Sequence, residues 1–132
     1  MSKAPWLITG VAAAALVGLA VFKRPADAST HPQPRPGITA VKVVPVSLVP
    51  RTPGAAEAYA AARASSATLD GVYCYCDCSK HAGHRSLLTC FETEHGAYCD
   101  ICMGEAMVAS GMAQQGRSLT EIRGAIDRQF GT

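Results

Sequence analysis

All six cysteines of this chain fall within 29 consecutive residues, Cys74 to Cys102, together with three of its four histidines, His81, His84 and His95. The stretch YCYCDCSKHAGHRSLLTCFETEHGAYCDICM (73–103) limits the fold more than any other feature, because whatever forms must bring these side chains to one place or keep six thiols apart. Cys74, Cys76 and Cys78 alternate with Tyr75 and Asp77. In an extended strand they would share one face about 6.5 Å apart. If the row curls into a turn, the three sulfurs can converge on one cluster. An ordinary core needs neither arrangement, whereas Cu(I), Zn(II) and iron–sulfur clusters all prefer soft sulfur ligands.

The rest of the block adds further candidate ligands. His81 and His84 form an H-x-x-H that Gly83 places in a loop. Ser86 caps a short predicted helix, Leu87–Glu94, in which Cys90 points toward the core with Leu87 and Phe91. His95-Gly96 ends that helix, with glycine at C′. Cys99-Asp-Ile-Cys102 then opens the next helix, where the helix dipole favours thiolates. The motif is not a haem attachment site, because Met103 stands where histidine is required. Met103 and Met107 lie 100–140° round the helix from Cys102 on a 100° wheel and are not counted as ligands. Glu105 lies near the thiol side, placed to pair with a histidine or Arg85. The predicted metal ligands are therefore Cys74, Cys76, Cys78, Cys90, Cys99, Cys102, His95, His81 and His84.

Three parts are expected: residues 1–24 as a membrane anchor or signal peptide, 25–54 as a proline-rich extended linker, and 55–132 as a Cys/His-rich helical domain. Trp6–Phe22 is an apolar run of 17 residues with Thr9 its one polar member, reaching about 25 Å as a helix. An A-x-A pattern at Ala26-Asp-Ala28 would suit cleavage, but Lys23 and Arg24 in between are atypical, so an uncleaved anchor is preferred. These same basic residues favour a cytoplasmic C-terminal side by the positive-inside rule. Seven of the eight prolines lie in 25–54. They imply a semi-rigid polyproline spacer in which His31 is plain linker and Ile38–Val49 is at best an edge strand. Thr52-Pro53 reads as the start of an alanine-rich helix that packs on the cysteine block through Tyr59. After it, Gly116 stops the helix opened by Cys99. Ser118 and Glu121 form a capping box, and Leu119, Ile122, Ile126 and Phe130 make a core stripe. The fold class is mostly α.

Net charge is +2 with no basic run, so nucleic acid is not an expected partner. Asp70, Asp77, Glu92, Glu94, Asp100 and Glu105 outnumber Lys80 and Arg85 around the cysteines, which favours a cationic ligand. No nucleophile–base arrangement or phosphate-binding glycine loop is present, so no enzyme is expected. Three uses of the thiols compete: a metal cluster, thiol–disulfide exchange at Cys99 and Cys102, and a disulfide-stapled interaction domain. Disulfides between residues two apart in a strand would be strained, and exchange leaves Cys74–Cys78 unexplained. A polynuclear Cu(I)–thiolate site uses the most ligands. Copper is therefore ranked first and zinc second, with the protein a carrier, store or metallochaperone.

Cys74-Tyr-Cys-Asp-Cys78, His84-Arg-Ser-Leu, Cys90-Phe, His95, Cys99-x-x-Cys102-x-x-Glu105-Ala and Glu121-Ile-Arg-x-x-Ile126-Asp resemble, in order, the bacterial family named for its PCYCGC motif, over about residues 71–131. Here Tyr73 replaces the proline, Asp77 replaces the glycine, and no lipobox cysteine occurs near residue 20. The resemblance implies an extracytoplasmic domain tethered to the cell membrane, and it outranks the charge rule for orientation. A membrane protein that gives or receives the metal would be its partner.

Overall fold

In the computed structural model, residues 30–131 are described; the expected anchor or signal peptide, 1–24, lies outside them. The described residues are mostly helical, without strands, and none of their helices is long and apolar enough to cross a membrane. Five α-helices follow one another: α1 (Ala55–Ala64), α2 (Ser66–Asp70), α3 (Cys78–His81), α4 (Asp100–Gln114) and α5 (Leu119–Phe130). Between α3 and α4 lie two 3₁₀ turns, Leu87–Phe91 and Glu94–Tyr98.

The alanines of α1 set the packing distance. Ala55, Ala58 and Ala62 are buried and α1 lies against α4, whose buried face carries Cys102, Ala106 and Ala109. Small residues on both sides let the two backbones come close, which gives α4 a firm seat. Tyr59 supplies the bulk. It is fully buried, meets Phe91 edge-on with ring centroids 4.9 Å apart, and donates its hydroxyl to the Thr93 carbonyl at 2.5 Å. The expected contact between Tyr59 and the cysteine block is present. The helix itself starts later than the Thr52-Pro53 signal suggested, at Ala55, because Gly54 takes a left-handed conformation (φ 79°) and sets the entry.

The expected termini of α4 and α5 are found. Gly116 (φ 75°) ends α4, with the Arg117 N–H returning to the Met112 carbonyl. The Ser118–Glu121 capping box opens α5, and Ile122 and Ile126 are buried against α4. Gly104 of α4 leaves room for the Phe130 ring, since a Cβ there would sit 3.2 Å from it.

The predicted helix Leu87–Glu94 is instead the first 3₁₀ turn, Leu87–Phe91, capped reciprocally by Ser86 and Thr89. Gly96 does not serve as a left-handed C′ residue. It lies inside the second turn beneath Phe91, where an added Cβ would be 2.9 Å from the ring. A residue this close to an aromatic face must lack a side chain.

The described part of the proline-rich stretch is extended, with two single 3₁₀ turns at Ala40–Lys42 and Val46–Leu48, and it is fastened to the helices. Polyproline-like backbone makes no internal hydrogen bonds, so its carbonyls remain available, and arginines from other elements take them. Arg123 donates to the Pro32 carbonyl at 2.8 Å, Arg85 to that of Gln33 at 2.5 Å, and Arg63 to that of Val43 at 2.6 Å. In return Arg35 grips Asp70, through its backbone N–H at 2.6 Å and through its guanidinium at 2.8 Å. Asp70 is fully buried and also receives Ser86 at 2.9 Å and Arg85 at 2.9 Å. Burial alone would raise its pKa, but the Arg35 contacts and the Ser86 hydroxyl outweigh it and hold the carboxylate below the usual range.

His31 corrects the reading of that residue as plain linker. It is 4% exposed, its Nδ1 accepts from the Tyr73 N–H at 2.9 Å, and its Nε2 contacts Asp127 Oδ1 at 2.7 Å. Acceptance at Nδ1 fixes the proton on Nε2, which donates to the carboxylate. Tyr75 donates to the same oxygen at 2.6 Å. One buried imidazole thus ties the segment to the last helix and to the backbone of Tyr73, and Asp127 links it in turn to Tyr75 on the other side of Cys74. Replacing it, His31→Ala, should lower the unfolding free energy of the full chain by about 2–3 kcal/mol, since two buried hydrogen bonds lose their partner. Urea unfolding followed by circular dichroism measures this, and an unchanged midpoint would make the segment a free spacer after all.

Candidate metal centre

The Cys74–Cys78 row is a turn, the second of the two conformations open to it. Tyr75 and Cys76 form the bend, Asp77 sits at φ 60°, ψ 20°, and Cys78 begins α3. Sulfurs that an extended strand would hold about 6.5 Å apart are folded onto one another, with Cys74 and Cys76 3.4 Å apart. The left-handed residue makes the fold-back possible. Asp tolerates that conformation better than most residues, and its Oδ1 accepts from the Tyr73 hydroxyl at 3.0 Å and pairs with Lys80 at 3.0 Å.

The start of α4, the loop at His84 and the two 3₁₀ turns complete the cluster. Cys102, buried in the first turn of α4, lies 3.4 Å from Cys74 and 3.5 Å from Cys76, so these three sulfurs form a nearly equilateral triangle. Cys99 caps α4, its sulfur accepting the Cys102 N–H at 3.5 Å. Cys90, from the first 3₁₀ turn, lies 3.2 Å from Cys78 and 3.4 Å from His84 Nδ1. His95 reaches Cys76 at 3.8 Å and meets the His84 ring edge-on. All six cysteines are free.

Ligand atoms within 4.8 Å of one another fall into four overlapping groups: Cys76, His95, Cys99, Cys102; Cys78, His84, Cys90, His95; Cys74, Cys76, Cys78; and Cys74, Cys90, Cys102. Two thiolates about 2.3 Å from one tetrahedral ion are about 3.8 Å apart, so these separations suit shared coordination after small adjustments. This Cys/His cluster could hold a metal ion. Eight of the nine predicted ligands lie within it. His81 falls in none of the groups. It is exposed on α3, its ring 6.1 Å from that of His95.

The electrostatics oppose free thiolates. The Cys102 thiol first, then burial and the Glu105 charge, push the Cys74 thiol well above its usual pKa, although Cys90 pulls the other way. Cys90 and Cys102 are raised as well. The helix start was expected to favour a thiolate at Cys102, but a single half-dipole does not outweigh this crowding of buried sulfurs. His84 is shifted down, by burial and then by the neighbouring His95 and His81, which keeps it neutral and able to donate a lone pair.

Glu105 does not pair with a histidine or Arg85 as expected. Arg85 is taken by Asp70, and Glu105 Oε1 accepts the Tyr75 N–H at 2.9 Å instead. Its Oε2 has no hydrogen-bond partner among the described residues, and burial pushes the acid up to about 7. Asp70 and Glu92 also prove not to be free negative charges, since Arg35 pairs with both. The surplus of acid around the thiols is smaller than the sequence count implies.

A family model described as "Protein of unknown function with PCYCGC motif" matches residues 26–132, and the chain belongs to that family. The match takes in the proline-rich segment along with the cysteine block. No curated protein and no solved structure gave a significant match. The geometry accounts for two letters of the motif. The motif's glycine stands at Asp77, the left-handed position. Its proline stands at Tyr73, whose N–H is the donor to His31 in this chain and would be lost with proline.

The turn predicts an asymmetric response at residue 77. Asp77→Gly should leave stability unchanged or raise it by up to about 1 kcal/mol, while Asp77→Val should lower it by about 1–2 kcal/mol, the cost of a left-handed β-branched residue. Equal loss in both variants, measured by thermal unfolding, would mean that the Lys80 and Tyr73 contacts rather than the backbone govern this turn.

Proposed function

We propose that this chain is a membrane-tethered metal carrier or store that holds Cu(I) in its Cys/His cluster, with zinc as the second choice of metal. The observation that carries the reading is the convergence of six free thiols and two imidazoles drawn from the 74–78 turn, the His84 loop, both 3₁₀ turns that follow it and the start of α4. Soft thiolates select Cu(I), Zn(II) or iron–sulfur clusters. The triangle of Cys74, Cys76 and Cys102 sulfurs suits three-coordinate copper, while the Cys₃His and Cys₂His₂ sets are familiar for zinc. Crowding and burial hold protons on Cys74, Cys90 and Cys102 until a cation displaces them, so uptake is coupled to proton release and affinity rises with pH.

Carriage rather than burial for structure alone is favoured by access. Cys76, Cys99 and His95 are all partly exposed, which leaves one side of the cluster open to ligands of a donor or acceptor protein. The apolar run Trp6–Phe22 and the family's expected export support a tether in the cell membrane with the cysteine block outside the cytoplasm, next to a membrane partner that supplies or takes the ion. Thiol exchange at Cys99 and Cys102 is the rival reading. Cys99 is accessible enough to attack, but its partner Cys102 is buried with its pKa raised, and exchange leaves the other four converging cysteines without a use.

Copper analysis of the purified full chain in detergent, with a thiol count before and after chelation, tests the proposal. Bound copper should fall at least tenfold in the triple variant Cys74→Ser, Cys76→Ser, Cys78→Ser, and copper affinity should be higher at pH 8 than at pH 6. Zinc bound in its place would correct the metal alone. Three disulfides and no metal would overturn the proposal.

A further inference from the structure

The eight ligand atoms exceed what one ion can use. A soft-metal ion takes three or four donors, and seven of the eight fall into two such sets that share only His95. Cys76, Cys99 and Cys102 form one with His95; Cys78, Cys90 and His84 form the other, again within reach of His95. The two sets share no sulfur. Cys74 is left over, and it is the member that joins them. It groups with Cys76 and Cys78 on one side and with Cys90 and Cys102 on the other, at 3.4 Å from both Cys76 and Cys102. A thiolate has lone pairs for two metals, and sharing it spreads one negative charge over two cations, which offsets the repulsion between them.

The sulfurs of the two sets differ in burial. Cys76 and Cys99 are partly exposed and only Cys102 of that set is buried, whereas both sulfurs of the other set, Cys78 and Cys90, are 1% and 0% exposed, with His84 its partly exposed member. Cys99 sits at the open end of α4, next to the exposed Tyr98 and Ile101. Cys78 and Cys90 lie on α3 and on the 3₁₀ turn Leu87–Phe91, both on the buried side.

We propose that the cluster is a two-ion centre with an outer, exchangeable site at Cys76, Cys99 and Cys102 and an inner, retained site at Cys78, Cys90 and His84, bridged by the Cys74 thiolate. His95 lies within reach of either ion and serves as the fourth ligand of one. The proposal rests on the metal-binding reading above and adds its number, its division and the order of release. An incoming thiol ligand would reach the outer ion first, and the inner ion would leave only after it.

Native mass spectrometry of the full chain, loaded anaerobically with Cu(I) and challenged with a Cu(I) chelator, tests this. Wild type should hold two ions and lose them in two steps. Cys99→Ser, at a partly exposed position that tolerates the change, should hold one ion that resists the chelator. His84→Gln, also partly exposed, should retain two but release the second as readily as the first, and circular dichroism checks that both variants keep their helices. Cys74→Ser should weaken both ions together. One ion per chain, three or more, or loss of both ions on Cys99→Ser alone would overturn the two-site division. A wild type that binds neither copper nor zinc would instead overturn the metal reading on which it rests.

Discussion

Sulfur atoms from residues 74–78, 90 and 99–102 can meet within 3.2–3.5 Å only if each segment is held from behind, because sulfur contacts between protonated thiols contribute little by themselves. The holding is done by three features. Close alanine packing of α1 on α4 fixes the first turn of α4, and with it Cys99 and Cys102. The left-handed Asp77 folds Cys74, Cys76 and Cys78 back onto that turn. Tyr59 and Phe91 then wedge the 3₁₀ turn that presents Cys90.

The second support is the N-terminal strap. Its extended backbone offers carbonyls that Arg123, Arg85 and Arg63 use, and its own Arg35 neutralises buried Asp70. A buried carboxylate with two arginines and a serine hydroxyl is a demanding arrangement, since losing one partner would leave charge in a dry environment. That makes Asp70 a point at which strap, 3₁₀ turn and α2 are coordinated. His31 does the same at the other end of the strap, by way of Asp127 and the backbone beside Cys74.

Much of this was legible in the sequence, and the parts that were not share a cause. Helix α5 announced itself through local signals, the Ser118–Glu121 box and the stripe through Ile122 and Ile126. The cluster was visible because nine ligand-type residues in so short a stretch have few other uses. What local pattern could not show was long-range pairing. His31 followed by proline carries no mark of burial, and its partner Asp127 is 96 residues away. Gly96 looked like a helix terminator, while its real constraint is the Phe91 ring. Glu105 was correctly placed near the thiols by helical periodicity, but its partner is a backbone N–H that no sequence pattern reveals.

The chemistry follows from crowding. Neutral thiols in contact are tolerable and free thiolates are not, so the site is quiet without a cation and strongly receptive to a soft one. X-ray absorption at the copper edge of the loaded full chain tests this most directly. The account predicts a first shell dominated by sulfur at about 2.3 Å, with one lighter neighbour from imidazole. A shell of nitrogen and oxygen alone, near 2.0 Å, would show that copper had gone elsewhere and that the converging cysteines are not its ligands.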